Sequence, residues 1–243
     1  MKRLLILLLL ASCAAPQTFS TGRGTSLSRD PWGHRPGPQG FQTVIIDAGH
    51  GGRDSGAVSS STGDQEKRLA LDTAHRLASK LKGHFKTVFV RDGDTFVDLD
   101  DRVALANRYE SAVLLSLHYN SSSSRSVRGP ETYYWRVDSH GLATRIQRAL
   151  ESAIPAKSGN LGLRRRRLRL TRNPQIPCVL VEFGYLSNSG EARLCNDPAH
   201  RDRLAEAVAQ AVRTQARVGD SGTGPLPKPR NQPLSSPTDP AGS

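Results

Sequence analysis

Four short apolar or β-branched runs, at residues 44–46, 87–90, 113–117 and 179–181, restrict this chain more than any other feature. Each is too short to be a helix of ordinary length and too continuous to be a half-exposed strand. Such runs are what a sheet buried on both faces requires. Between them, apolar residues recur at helical spacing. Leu69, Leu71, Ala74, Leu77, Ala78 and Leu81 mark one face, and Val103, Leu105 and Ala106 a shorter one. Leu142, Ile146, Ala149 and Leu150 mark a third, and Leu204, Ala207, Val208 and Val212 a fourth. Residues 132–135 form a further aromatic, β-rich segment. Strands separated by helices predict an α/β class: a single domain with a mixed, mostly parallel sheet flanked by helices.

The ends of the chain read differently. Met1-Lys2-Arg3 precedes a seven-residue apolar run at 4–10, the pattern of an export signal over residues 1–12. Leu10-Ala11-Ser12-Cys13 resembles a bacterial lipobox, so Cys13 is expected to carry lipid and hold the protein at a membrane. Residues 13–40 are expected to form a lipid-anchored flexible linker, 41–218 the catalytic domain, and 219–243, with six Pro and four Gly, a disordered tail. A bilayer span needs about 20 apolar residues, and the longest run here is seven, which excludes a polytopic membrane protein. The net charge of +12 favours a polyanionic partner. Export makes that partner cell wall rather than nucleic acid, because peptidoglycan carries stem-peptide carboxylates. A monomer facing the periplasm or cell wall is expected. Three cysteines cannot build a disulfide framework or a four-thiolate zinc site. Cys178 and Cys195 read as reduced packing residues, with a disulfide between them as the alternative.

Three of the buried runs lead directly into chemistry. The first leads through Asp47-Ala48-Gly49 to His50, the third to His118, and the fourth to Glu182. In open α/β sheets, ligands bind beyond the carboxyl ends of the strands. Glu66 opens the first helix after the glycine-rich loop 49–52, although an acidic residue there would also complement the helix dipole. An unpaired carboxylate at the end of an apolar strand costs several kcal/mol or titrates to neutral, so Glu182 is hard to explain as packing. Two histidines and a carboxylate are the ligand set of hydrolytic zinc, and a metal site is expected.

Residues 46–57 (IDAGHGGRDSGA), Gln65-Glu66-Lys67, Val90-Arg91-Asp92, Ser116-Leu117-His118-Tyr119-Asn120 and residues 181–188 (VEFGYLSN) together resemble the zinc-dependent N-acetylmuramoyl-L-alanine amidases. The resemblance runs from about Thr43 to Val212 with the motifs in the family's order. It implies a sheet of about six strands, Zn2+ held by His50, Glu66 and His118, and Glu182 as the catalytic carboxylate. It further implies cleavage of the amide between N-acetylmuramic acid and L-alanine in peptidoglycan. Two departures stand out: the loop from His50 to Glu66 is long and serine-rich, and Tyr119 replaces a small residue, which predicts a narrower cleft.

Asp47 could accept a hydrogen bond from a ligand imidazole or make an Asx contact in the turn. Arg164, Arg165, Arg166 and Arg167, with Asn120, are candidate substrate-binding residues. The arginines suit stem-peptide carboxylates, although a charge run is also what a solvated face looks like. His34, His75, His84, His140 and His200 lack partner motifs and read as surface residues. A different zinc hydrolase of the wall, a peptidase or deacetylase, would use the same metal logic. A non-catalytic wall-binding lipoprotein has no need to keep all four key positions filled.

Overall fold

A computed structural model describes residues 36–155, 158–230 and 232–239. The export signal, Cys13, His34 and all but the last residues of the linker lie outside the described residues. In chain order the elements are β1 (Thr43–Ala48), α1 (Glu66–Leu81), β2 (Lys86–Phe89), α2 (Leu99–Ala106), β3 (Ala112–Asn120), β4 (Glu131–Tyr134), α3 (His140–Ala153), β5 (Gly162–Arg165), α4 (Arg169–Arg172), β6 (Cys178–Tyr185), α5 (Ser189–Asn196) and α6 (Pro198–Val218). The strands form one sheet in the order β2-β1-β3-β6-β4-β5. Every neighbouring pair is parallel except β4 with β6, so β4 and β5 run against the other four. The expected mixed, mostly parallel six-stranded sheet is the one found.

Alternation along the strands separates two cores. Val44, Ile46, Leu115, Leu117, Val179 and Val181 face α1, α3 and α6. Ile45, Leu114 and Cys178 face the opposite way, where Ala106 of α2 and Leu170 of α4 cover them. This second layer is short. It covers the beginnings of the central strands and leaves the later positions of that face, from Ser116 and Leu180 onward, for the site. Cys178 and Cys195 are both free, both buried, and belong to the two different clusters, so they pack on opposite sides of the sheet.

Helix starts follow local chemistry. Asp98 caps α2, Asn188 accepts from the N–H groups of Gly190 and Glu191, and Asp197 caps α6 ahead of Pro198. By contrast, α1 begins without a side-chain cap, and its first residue, Glu66, turns its carboxylate elsewhere.

Several features differ from the sequence expectation. The basic run carries no apolar strand signature, yet 162–165 form edge strand β5, in which the arginines project alternately to the two faces. Tyr119 does not narrow a cleft: it is fully buried, its hydroxyl lies 2.7 Å from Thr73 Oγ1, and its ring packs on Phe183. His200 is buried rather than on the surface, and His140 packs half-buried against Tyr134, whereas His75 and His84 are exposed. The described part of the tail, instead of trailing free, runs along β5 and α4. Arg165 donates to the Lys228 carbonyl, Arg172 to the Gln232 carbonyl, and Asn173 exchanges two 2.8 Å bonds with the Ser235 backbone. Pro233 lacks an N–H but keeps its carbonyl, which accepts from Arg167 and Arg172.

Candidate metal and hydrolytic site

The strands β1 and β3 deliver their polar residues side by side because Asp47 pairs with Ser116 and Ala48 with Leu117 in register. His118 follows Leu117, and Gly49 follows Ala48. An added Cβ on Gly49 would lie 2.3 Å from His118 Cε1, so only glycine lets the imidazole lie over the loop. The next residue, His50, adopts a left-handed backbone (φ 60°), uncommon outside glycine. That turn is closed by a bridge between Gly51 and Asp54, which brings Asp54 Oδ2 to 2.8 Å from His50 Nδ1.

Glu66 meets both rings. Its Oε1 lies 3.0 Å from His50 Nε2 and 2.9 Å from His118 Nδ1. The Tyr119 N–H also donates to this oxygen, and the Ala57 N–H donates to Oε2 at 2.9 Å. Gly56 makes room: a Cβ there would sit 2.5 Å from Glu66 Oε2. The three donor atoms lie within 4.8 Å of one another.

Each ring is held from behind. His118 Nε2 lies 3.1 Å from Ser116 Oγ, and that hydroxyl donates to Asp47 Oδ2 at 2.7 Å. Asp47 therefore reaches the His118 imidazole through Ser116 and not directly, because Asp47 and Ser116 project from the same face one strand apart. Its other oxygen accepts from Arg102 Nη1 at 2.5 Å. Arg102 also donates to the carbonyls of Ala48 and His50, and Arg91 to those of Ala48, Gly49 and Lys67. These two guanidinium groups fix the loop that carries His50. With the outer nitrogens engaged by Asp54 and Ser116, the inner nitrogens face one another across Glu66 Oε1. That donor set and orientation fit zinc.

The charges agree with the geometry. Burial works against charge on both His50 and Glu66. The carboxylates of Glu66 and Asp54 still raise the His50 pKa, and the two imidazoles hold Glu66 well below the usual carboxylate range.

Glu182 stands opposite His118 in the β3–β6 ladder and opposite Glu131 in the β4–β6 ladder. Its Oε2 is buried with no hydrogen-bond partner among the described residues. Burial, followed by the nearby Glu66 and Glu131 charges, pushes its pKa well above the ordinary value. Glu131 itself is well partnered: its Oε2 accepts from Tyr133 at 2.5 Å and from Tyr185 at 2.9 Å, and its Oε1 from Arg164 Nε at 2.9 Å. Asn120, a candidate for substrate, instead donates to the Tyr185 hydroxyl and accepts from Ser121 N.

A profile of the family described as N-acetylmuramoyl-L-alanine amidase matches residues 44–214. The chain belongs to this amidase family. The N-acetylmuramoyl-L-alanine amidase LytC of Bacillus subtilis is 34% identical over 173 residues, which is 69% of this chain and 34% of LytC. The probable cell wall amidase LytH of Staphylococcus saprophyticus is 31% identical over 174 residues, 71% of this chain and 57% of LytH. The chain thus spans about a third of the first relative and somewhat over half of the second. Among solved structures, the catalytic domain of the amidase CwlV from Bacillus (Paenibacillus) polymyxa var. colistinus superposes with a TM-score of 0.67 at 36% identity. That match covers 71% of this chain and 96% of the CwlV domain.

Sequence reasoning named His50, Glu66, His118 and Glu182 as candidates, and the structure brings all four to one rim. It missed Ser116, Asp54, Arg102 and Glu131. Ser116 was legible in principle, as a lone hydroxyl inside an apolar run two residues before His118 and therefore on its face. Asp54, four residues beyond His50 in a glycine-rich turn, offered a similar signal.

Proposed function

We propose that this chain is a peptidoglycan hydrolase that cleaves the amide between the lactyl group of N-acetylmuramic acid and L-alanine. The observation that carries the reading is the convergence of His50, Glu66 and His118 beside a buried Glu182 oxygen that has no hydrogen-bond partner among the described residues. Zinc, held by His50, Glu66 and His118, would supply Lewis acidity and a water of lowered pKa.

The chain's own residues do the rest. Asp54 and the Ser116–Asp47 pair keep the two imidazoles in one tautomer and orientation, inner nitrogen toward the donor cluster. Glu182 takes the proton of the attacking water at Oε2 and passes it to the leaving amine. That oxygen has no protein donor among the described residues, which leaves it available for the exchange. Arg91 and Arg102 keep the His50 loop from yielding as substrate enters.

Export and attachment to a membrane through Cys13 belong to the same reading, supported by the basic start, the apolar run and the lipobox-like residues 10–13. The test is end-group analysis of digested sacculi. New L-alanine amino termini are expected. Release of peptides by any other new terminus, with lactyl amides intact, overturns the reading.

A further inference from the structure

On the open face of the sheet, the register carries a row of side chains away from the donor cluster. His118 on β3 stands opposite Glu182 on β6, Glu182 opposite Glu131 on β4, and Tyr133 of β4 opposite Arg164 of β5. The four consecutive arginines divide by parity. Arg164 Nε lies 2.9 Å from Glu131 Oε1, and Arg166 lies over the Tyr133 ring at 5.7 Å, so both lie on the catalytic face. Arg165 lies over Trp135 and donates to the Trp135 and Lys228 carbonyls, while Arg167 donates to the Pro233 carbonyl and pairs with Asp239. Those two hold the tail.

We propose that Arg164 and Arg166, without Arg165 and Arg167, form a carboxylate-binding arm of the cleft. It takes an acidic residue of the leaving peptide about two to three residues beyond the scissile amide. This rests on the amide-hydrolase reading above. Amide cleavage releases an amine, and the group assigned to protonate it, Glu182, lies on β6. The metal-ligating residues lie on the β1, α1 and β3 side, so the leaving peptide extends the other way, over β4 and β5. Two strand spacings are about 10 Å, and an extended peptide advances about 3.3 Å per residue, which sets the position read.

The chemistry at that position is prepared. Glu131 engages the Nε edge of Arg164 through Oε1 alone, because its Oε2 is taken by the two tyrosine hydroxyls, so the Nη side of the guanidinium is left to other partners. The Arg164 side chain is 54% exposed, and among the described residues its Nη atoms make no hydrogen bond. A guanidinium fixed along one edge presents the other as a ready fork for a carboxylate. Arg166, anchored over an aromatic ring, adds the second positive charge.

The experiment compares two soluble muropeptides, identical except that the carboxylate in question is free or amidated. They are assayed against the zinc-loaded full chain, with calorimetric binding of the released acidic peptide as an independent readout. The wild type is expected to favour the free acid about tenfold in kcat/KM. Arg164→Gln with Arg166→Gln should bring that ratio to about one and abolish peptide binding, whereas Arg165→Gln with Arg167→Gln should keep both. A doubly substituted Arg164, Arg166 protein that retains the preference and the binding overturns the proposal, as does loss of both on changing Arg165 and Arg167. If neither muropeptide is cleaved but peptide binding still depends on Arg164 and Arg166, the hydrolase reading fails and the arm stands. If both are cleaved equally and peptide binding ignores all four arginines, the arm fails and the hydrolase reading stands.

Discussion

His118 and Glu182 are register partners on neighbouring parallel strands, so one backbone ladder sets both the second imidazole of the site and the carboxylate beside it. Since the ladder and not a side-chain contact places Glu182, Glu182→Gln should fold normally and keep its zinc. Its kcat should fall on the order of 10²-fold or more. Zinc content per chain and steady-state rates check this. Loss of zinc in that variant would make Glu182 a ligand.

The donor cluster should hold about one zinc per chain, and a chelator should abolish activity. His118→Ala is expected to lose tight binding altogether. Ser116→Ala should weaken it by roughly 10–100-fold while leaving the fold intact, because the hydroxyl only orients the ring. Competition titrations with a chromophoric chelator measure both. Stoichiometric zinc in His118→Ala would remove that residue from the ligand set.

Two glycines make opposite predictions. At Gly49 a methyl group would collide with the His118 ring, whereas at Gly93 it would meet nothing within 4 Å. Gly49→Ala should therefore reduce zinc affinity and destabilise the fold by roughly 1–3 kcal/mol, and Gly93→Ala should stay within about 0.5 kcal/mol of wild type. Denaturant unfolding compares the two directly.

Glu191 supplies a pH dependence outside the site. Burial, opposed by the Tyr185 and Gly129 N–H groups that it accepts, pushes its pKa up to about 7. A raised folded-state pKa means the native protein holds this proton more tightly than the unfolded chain. Its stabilising contribution is complete below about pH 4.5 and is lost as pH rises through about 7. Across that window the wild type should lose roughly 1–3 kcal/mol relative to Glu191→Gln. A difference in urea-unfolding free energy between the two proteins that stays constant from about pH 4.5 to about 8 would contradict this.

Cys13→Ala should release the protein from the membrane fraction as a soluble, active enzyme. In the lipidated form, the linker up to the domain would span roughly 25 Å if it behaves as a coil. Fractionation of cells expressing each form decides it.

The sequence made the site legible because strand periodicity and strand endings coincide: an apolar run that stops at His or Glu marks both an element and its rim. The helices α1, α3 and α6 were equally visible, since each buries one long apolar stripe. What stayed hidden depends on relations across the chain. Nothing local says that Arg102 would reach Asp47 across 55 positions, or that Glu131 would arrive beside Glu182 on an antiparallel strand. The arginine run obscured β5 because edge strands tolerate charge and lose the apolar signature. The tail read as free because proline and glycine describe backbone stiffness and not whether a carbonyl has found a guanidinium.

The serine-rich stretch between His50 and Glu66 is pinched off by the bridge between Val58 and Gln65, with Ser59 N bonded to the Asp64 carbonyl just inside it. That neck stands between His50 and Glu66 and the segment beyond it. Between the buried anchors Ser59 and Asp64, a change in the length of residues 60–63 would reach His50 and Glu66 only through that neck, so the exposed tip can vary in sequence at little cost to the geometry behind it.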